Sequence, residues 1–111
     1  MEVNEIKSIE DFKSFLLIYL AEADYRVTEE EKAFILSHVT LPKYESIKRI
    51  IDKISDYECL EIVDTYKNRF LPDLASRTAF IAEMEQLYAT DSRHSVLERN
   101  MILGLKKILL N

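Results

Sequence analysis

Apolar residues recur at intervals of three and four along almost the whole chain, the spacing of one face of an α-helix rather than the alternation of a half-buried strand. Ile9, Phe12, Leu16, Leu20 and Ala23 form the first such stripe. Ser8 stands before it with a hydroxyl that can accept a backbone N–H, so a helix is predicted from about residue 9 to 23. Phe15, Leu17, Ile18 and Tyr19 add apolar surface to its other sides. A helix at the surface of a small domain cannot leave that area in water, which marks this one as central.

Capping signals divide the rest of the chain. In Thr28-Glu29-Glu30-Glu31 the Thr28 hydroxyl can cap the amide of Glu31, and the Glu31 carboxylate can reach back to the amide of Thr28. The second helix is predicted to run from there to near Val39, ahead of Pro42, and Pro42 to open a third. Tyr44, Ile47, Ile50, Ile51 and Ile54 make one apolar stripe on that third helix. Ser55-Asp56-Tyr57-Glu58 is another capping box, followed by Cys59, Ile62, Val63, Tyr66 and Phe70 as an inward face, until Leu71-Pro72-Asp73 breaks the pattern. A fifth helix carries Leu74, Ile81, Met84, Leu87 and Tyr88. A sixth begins at Ser95-Val96-Leu97-Glu98 and continues through Met101, Leu105 and Ile108. Gly104, inside it, costs roughly 1 kcal/mol relative to alanine. Close contact with another helix of the domain is the expected compensation, ahead of a ligand or partner backbone lying against it.

The chain also resembles itself. At one constant offset, Leu17, Leu20, Asp24, Arg26, Thr28, Glu31 and Ile35 fall on Met84, Leu87, Asp91, Arg93, Ser95, Glu98 and Ile102. Each copy reads as the end of one helix, then Asp-x-Arg-x-Thr/Ser-x-x-Glu, then the start of the next. The expected architecture is therefore all-α: a compact bundle of about six helices in two pseudo-symmetric helix-turn-helix halves. Helices 1 and 2 match helices 5 and 6, and helices 3 and 4 bridge the halves. No linker is long enough to divide the chain, so residues 1–111 are read as one domain.

Composition narrows the possible functions. One glycine and two prolines are too few for the tight turns of a sandwich or barrel. The single cysteine, Cys59, cannot close an internal disulfide, and Met1-Glu2-Val3-Asn4 does not open a charged-then-apolar leader, so a reducing cytoplasm is the expected location. The longest apolar run, Phe15 to Ala21, falls far short of the roughly 20 residues needed to cross a bilayer, and no membrane insertion is expected. A net charge of -5 repels nucleic-acid phosphate. The best basic group, Lys43, Lys48, Arg49 and Lys53, is interrupted by Glu45 and Asp52 and reads as a solvated helix face, so nucleic-acid binding ranks last.

Candidate chemistry gathers at the repeated loop. In both copies an Asp lies four residues before the helix cap and a Glu three residues after it, giving the pairs Asp24 with Glu31 and Asp91 with Glu98. Such a pair can contribute oxygens to a divalent cation such as calcium, magnesium, manganese or zinc. A calcium loop of the EF-hand type, however, needs a longer acidic run with a central glycine. The competing reading is structural: each Glu completes a capping box and each Asp accepts loop amides. His94 could join Asp91 and Glu98 on a metal, although its counterpart in the first copy is Val27. His38 falls near the end of helix 2, where its interaction with the helix dipole suffices. Cys59 lies on an inward stripe and reads as a small core residue. No nucleophile with its base, metal triad or phosphate loop is visible, so no enzymatic activity is expected.

The segment Leu-Ala-Glu-Ala-Asp-Tyr-Arg-Val-Thr-Glu-Glu-Glu, residues 20–31, resembles the signature of tellurite-resistance TerB-like domains, and Asp91-Ser92-Arg93-His94-Ser95-Val96-Leu97-Glu98 is similar to its second half. That family includes the N-terminal domain of a membrane-anchored DnaJ-like co-chaperone. The resemblance implies an all-helical fold with two pseudo-symmetric halves, a link to tellurite or stress resistance, and metal binding through acidic residues, which here are Asp24, Glu31, Asp91 and Glu98. The family's loop glycine is replaced by Tyr25 in the first copy and Ser92 in the second, where a left-handed backbone would be strained.

The leading expectation is a non-enzymatic binding module. Glu22, Asp24, Glu29, Glu30 and Glu31 would form an acidic helical surface for a basic protein partner or a divalent cation. The alternative is a metal-binding protein built on Asp24/Glu31 and Asp91/Glu98.

Overall fold

Local capping rules account for where the helices begin. The computed structural model describes residues 3–22, 27–89 and 96–111, the side chains of 88–89 and 96–98 excepted. It contains α1 (Ile9–Ala21), α2 (Glu29–Leu36), α3 (Leu41–Lys53), α4 (Asp56–Phe70), α5 (Leu74–Ala89) and α6 (Val96–Leu109), with no strand among the described residues. The Thr28 and Ser55 boxes close in both directions: Glu31 N–H donates to Thr28 Oγ1 at 3.1 Å and Thr28 N–H to Glu31 Oε1 at 3.2 Å, and Ser55 and Glu58 repeat the pattern at 3.1 Å each way. At α1 the shorter Asp11 replaces Glu. Asp11 N–H donates to Ser8 Oγ at 3.2 Å, while Asp11 Oδ2 accepts the amide of Lys7, one residue further back, at 3.0 Å. Asp73 Oδ1 accepts Ser76 N–H at 2.7 Å at the start of α5.

Helix α1 ends at Ala21, short of the expected 23, and two further boundaries differ from the sequence expectation. Helix α2 ends at Leu36 instead of near Val39, because the Ser37 hydroxyl donates to the Phe34 carbonyl and the next amides fold back on Ile35 in a tightened turn. The cap of α3 is Thr40, which makes Leu41 the first helical residue and Pro42 the second. Proline is tolerated in the first turn because its missing N–H has no intrahelical partner there.

Packing centres on α1, which touches all five other helices and buries every residue from Ser14 to Ala21. The one hydroxyl in that stretch with a backbone acceptor in reach, Ser14 Oγ, donates to Glu10 O at 2.7 Å. Helix α1 packs on α6 and α2 packs on α5, the reciprocal pair of contacts that exchanging the halves requires. The matched apolar positions also agree, since Leu17, Leu20 and Ile35 are buried and so are Met84, Leu87 and Ile102. Only α4 bridges as expected, against α1 and α6; α3 packs chiefly on α1 and α2 and belongs to the first half.

Two single-residue expectations are overturned. Leu74 is 68% exposed, because it is the first residue of α5, and Leu71, before the helix, enters the core in its place. Phe80, not expected at the core, is fully buried on α5. Gly104 makes no close helix contact: a Cβ placed there meets nothing within 4 Å, since Gly104 shares the outer face of α6 with the exposed Leu103 while Ile102 and Leu105 point inward.

The far end of α6 shows how the fold closes a helix C-terminus. Lys67 Nζ donates to Ile108 O at 2.9 Å, and the Arg77 guanidinium spans Leu109 O at 3.0 Å, Leu71 O at 2.6 Å and Asn68 Oδ1 at 2.7 Å. Two cations from neighbouring helices thus satisfy the carbonyls that the last helical turn leaves open.

Two predictions follow from this architecture. Gly104→Ala should raise unfolding free energy by roughly 1 kcal/mol, because alanine lowers the entropy of the unfolded chain and meets no clash; urea melts showing no gain would contradict the open outer face. At Asp11, burial pushes the carboxyl up, but hydrogen bonds from the Lys7 amide and Lys43, with the Lys43 charge, outweigh it and hold the group below its usual range. A depressed acid contributes stability above its unfolded pKa and loses it as pH falls through the folded value. Asp11→Asn should therefore cost roughly 1 kcal/mol at neutral pH, and the gap should close as pH drops below about 4, read by urea melts across that range.

Candidate functional site

A cleft of about 270 Å³ opens where four helices meet. Tyr19 and Glu22 enter it from the end of α1, Ile51, Asp52 and Ile54 from the end of α3, Ser55 and Asp56 from the start of α4, and Met101 from α6. Its polar groups are mostly acceptors. Of its three carboxylates two meet an ammonium among the described residues: Lys48 Nζ donates to Asp52 Oδ2 at 3.0 Å and lies 3.5 Å from Glu22 Oε1. The Asp52 hydrogen bond, with the Glu22 carboxylate, holds the Lys48 ammonium above its ordinary range despite partial burial. Asp56 makes no ion pair among the described residues and, at the first position of α4, sits exposed at the rim.

The innermost polar atom is the Tyr19 hydroxyl. Tyr19 is 3% exposed, and its oxygen completes no hydrogen bond among the described residues, the Asp56 carboxylate lying near it without closing one. Burial first, then the nearby Asp56 carboxylate, push this phenol far above its usual range, so it stays protonated. The same acidic field reaches Tyr44, raised first by burial and then by Glu22, with Asp52 and Glu31 adding to the effect. Glu22, Glu31 and Asp52 therefore share one end of the bundle, and Glu29 and Glu30 stand exposed there at the start of α2.

Of the four positions brought by the resemblance, the side chain of Glu31 alone is described. It is 2% exposed and its Oε1 accepts both the amide and the hydroxyl of Thr28, which is the capping role read from the sequence. Asp24, Asp91, His94 and the side chain of Glu98 lie outside the described residues. Among the described residues no three Asp, Glu, His or Cys side chains converge as a metal ion would require. Two of the four basic residues on α3 are paired within the fold, Lys43 3.0 Å from Asp11 and Lys48 on Asp52 and Glu22. No helix among the described residues is long and apolar enough to cross a membrane.

Sequence reasoning found Glu22 but missed Tyr19, Asp52, Asp56 and Met101 as its neighbours. Tyr19 carried a usable signal, because a tyrosine inside the apolar run from Phe15 to Ala21 has a hydroxyl that needs a partner. Compared with family models, curated proteins and solved structures, the chain matches none.

Cys59 borders this region and is 1% exposed. Burial, then the charges of Asp56 and Glu58, push its thiol up to about 12. Iodoacetamide should therefore leave Cys59 of the folded protein unmodified through pH 9 and label it readily in urea; fast labelling of the native chain would contradict the buried, neutral thiol.

Proposed function

We propose that this chain is a non-enzymatic binding module of the TerB-like kind that presents the acidic end of its bundle to a basic protein partner or a divalent cation. The supporting observation is the concentration of carboxylates at the end of α1, the end of α3 and the starts of α2 and α4, with Lys48 the only ammonium in contact with the cleft's carboxylates among the described residues. Carboxylates at two helix C-termini oppose the helix dipole, so the fold holds negative charge where its own energetics disfavour it. A cationic ligand would relieve that repulsion. The residual net charge of -5 favours the same class of partner at longer range.

The basic-partner version predicts that a labelled lysine- and arginine-rich peptide binds saturably in fluorescence anisotropy and weakens as salt rises. Reversing the exposed Glu29 and Glu30 to lysine should reduce that affinity several-fold; Glu31 is unsuitable for reversal because its carboxylate is buried in the helix cap. The cation version predicts saturable thermal stabilisation by calcium, magnesium, manganese or zinc that disappears in Asp24→Asn or Asp91→Asn. If neither ligand class gives saturable binding, the reading is wrong.

A further inference from the structure

Deepening this reading and resting on it, we propose that the cleft between the ends of α1 and α3 and the start of α4 is a recognition pocket for a guanidinium head group. Three independent features lead there. The first is the Tyr19 oxygen, 3% exposed as a residue, lining the cleft and without a hydrogen-bond partner among the described residues. A buried hydroxyl costs free energy until something donates to it or accepts from it.

The second feature is the sign and spacing of the remaining groups. Glu22, Asp52 and Asp56 outnumber Lys48, and the cleft receives the negative ends of α1 and α3. Helix α1 has no basic residue in its last turn. At the start of α4 the amides of Ser55 and Glu58 are already taken by each other's side chains, and Asp56 places a carboxylate where an anion would have to approach. The carboxylates sit on three different helix ends and do not converge on one point, which suits a flat, multi-donor cation better than a small ion demanding tight convergence.

The third is a precedent within the same fold. At the end of α6 the Arg77 guanidinium bridges two carbonyls and an amide oxygen contributed by separate segments. The ends of α1 and α3 offer a comparable set of dispersed acceptors, and a guanidinium carries five donors in a planar fork able to reach several at once. Ile51, Ile54 and Met101 give its flat face and alkyl stem an apolar wall. A volume of about 270 Å³ lies just below the usual range of ligand pockets, the size for one side chain or a small amine rather than a large cofactor.

The guanidinium can come from a free compound or from an arginine side chain, and the test distinguishes them. Amide shifts of the intact chain in two-dimensional NMR are followed on titration with agmatine, with N-acetyl-arginine amide and, as the ammonium control, with butylamine. Saturable shifts centred on Glu22, Ser55 and Asp56 are expected with the guanidinium probes and much weaker ones with butylamine. Agmatine binding alone identifies a free compound; binding of both probes identifies an arginine side chain as sufficient. Asp56→Asn, at an exposed position, should weaken binding about tenfold, the size expected for one charge-assisted hydrogen bond. Tyr19→Phe should weaken it several-fold while leaving thermal stability equal or higher, since it deletes an unpartnered hydroxyl and keeps the ring. Shifts that never saturate, equal response to butylamine, or displacement of agmatine by millimolar calcium or magnesium would each overturn the proposal. Loss of agmatine binding with basic-peptide binding intact would sink this pocket and leave the acidic-surface reading standing; loss of both would sink the two together.

Discussion

The burial of α1 from Ser14 to Ala21 is the constraint from which the other features follow. A helical stretch enclosed on every side must find partners within the protein for each polar atom it carries, because water cannot reach them. Ser14 meets that demand by bonding to the turn below it. Tyr19 does not, and its hydroxyl is left at a place where the helices around α1 separate. The cleft is thus a consequence of how the bundle closes, since α3, α4 and α6 approach α1 near its end but leave a gap between them.

The two ends of the bundle solve the same electrostatic problem in opposite ways. Both α1 and α6 finish with carbonyls pointing outward and a dipole that favours positive charge. At α6 the fold supplies that charge internally through Lys67 and Arg77, with donors committed at 2.9 and 3.0 Å to the last carbonyls. At α1 it places Glu22 instead, and Lys48 from α3 only partly offsets it from 3.5 Å while also serving Asp52. An internally balanced end needs no ligand. An end that accumulates carboxylates around an unpartnered hydroxyl is the one with something to gain from binding.

Much of this was legible in the chain itself, for identifiable reasons. Capping boxes are written in four consecutive residues, so Thr28–Glu31 and Ser55–Glu58 could be located by spacing alone, and both close as expected. The centrality of α1 followed from apolar residues on all its sides, a property of one segment. What failed required knowledge of neighbours. Gly104 was read as a contact because a helical glycine needs a reason, yet nothing in its own sequence shows which face of α6 points to solvent. Leu74 looked like a core residue, yet it is exposed while Leu71, before the helix, is buried. The early stop of α2 depended on competition between the Ser37 hydroxyl and the backbone for one carbonyl.

The candidate site divides along the same line. Glu22 and the acidic start of α2 were visible as a local charge cluster, whereas Asp52 and Asp56 belonged to the starts and ends of other helices and acquired meaning only when α3 and α4 folded beside α1. Asp56 is instructive because one residue serves two physical purposes. Its charge stabilises the first turn of α4, which would suffice to explain its presence in any helix. That same charge also lies beside Tyr19 and adds to the burial that keeps the phenol neutral, so the group that stabilises one helix end also acts on a buried donor facing the cleft. A neutral phenol can both accept from a cation and donate to a carboxylate, and this dual capacity is what separates the pocket from a simple patch of negative charge.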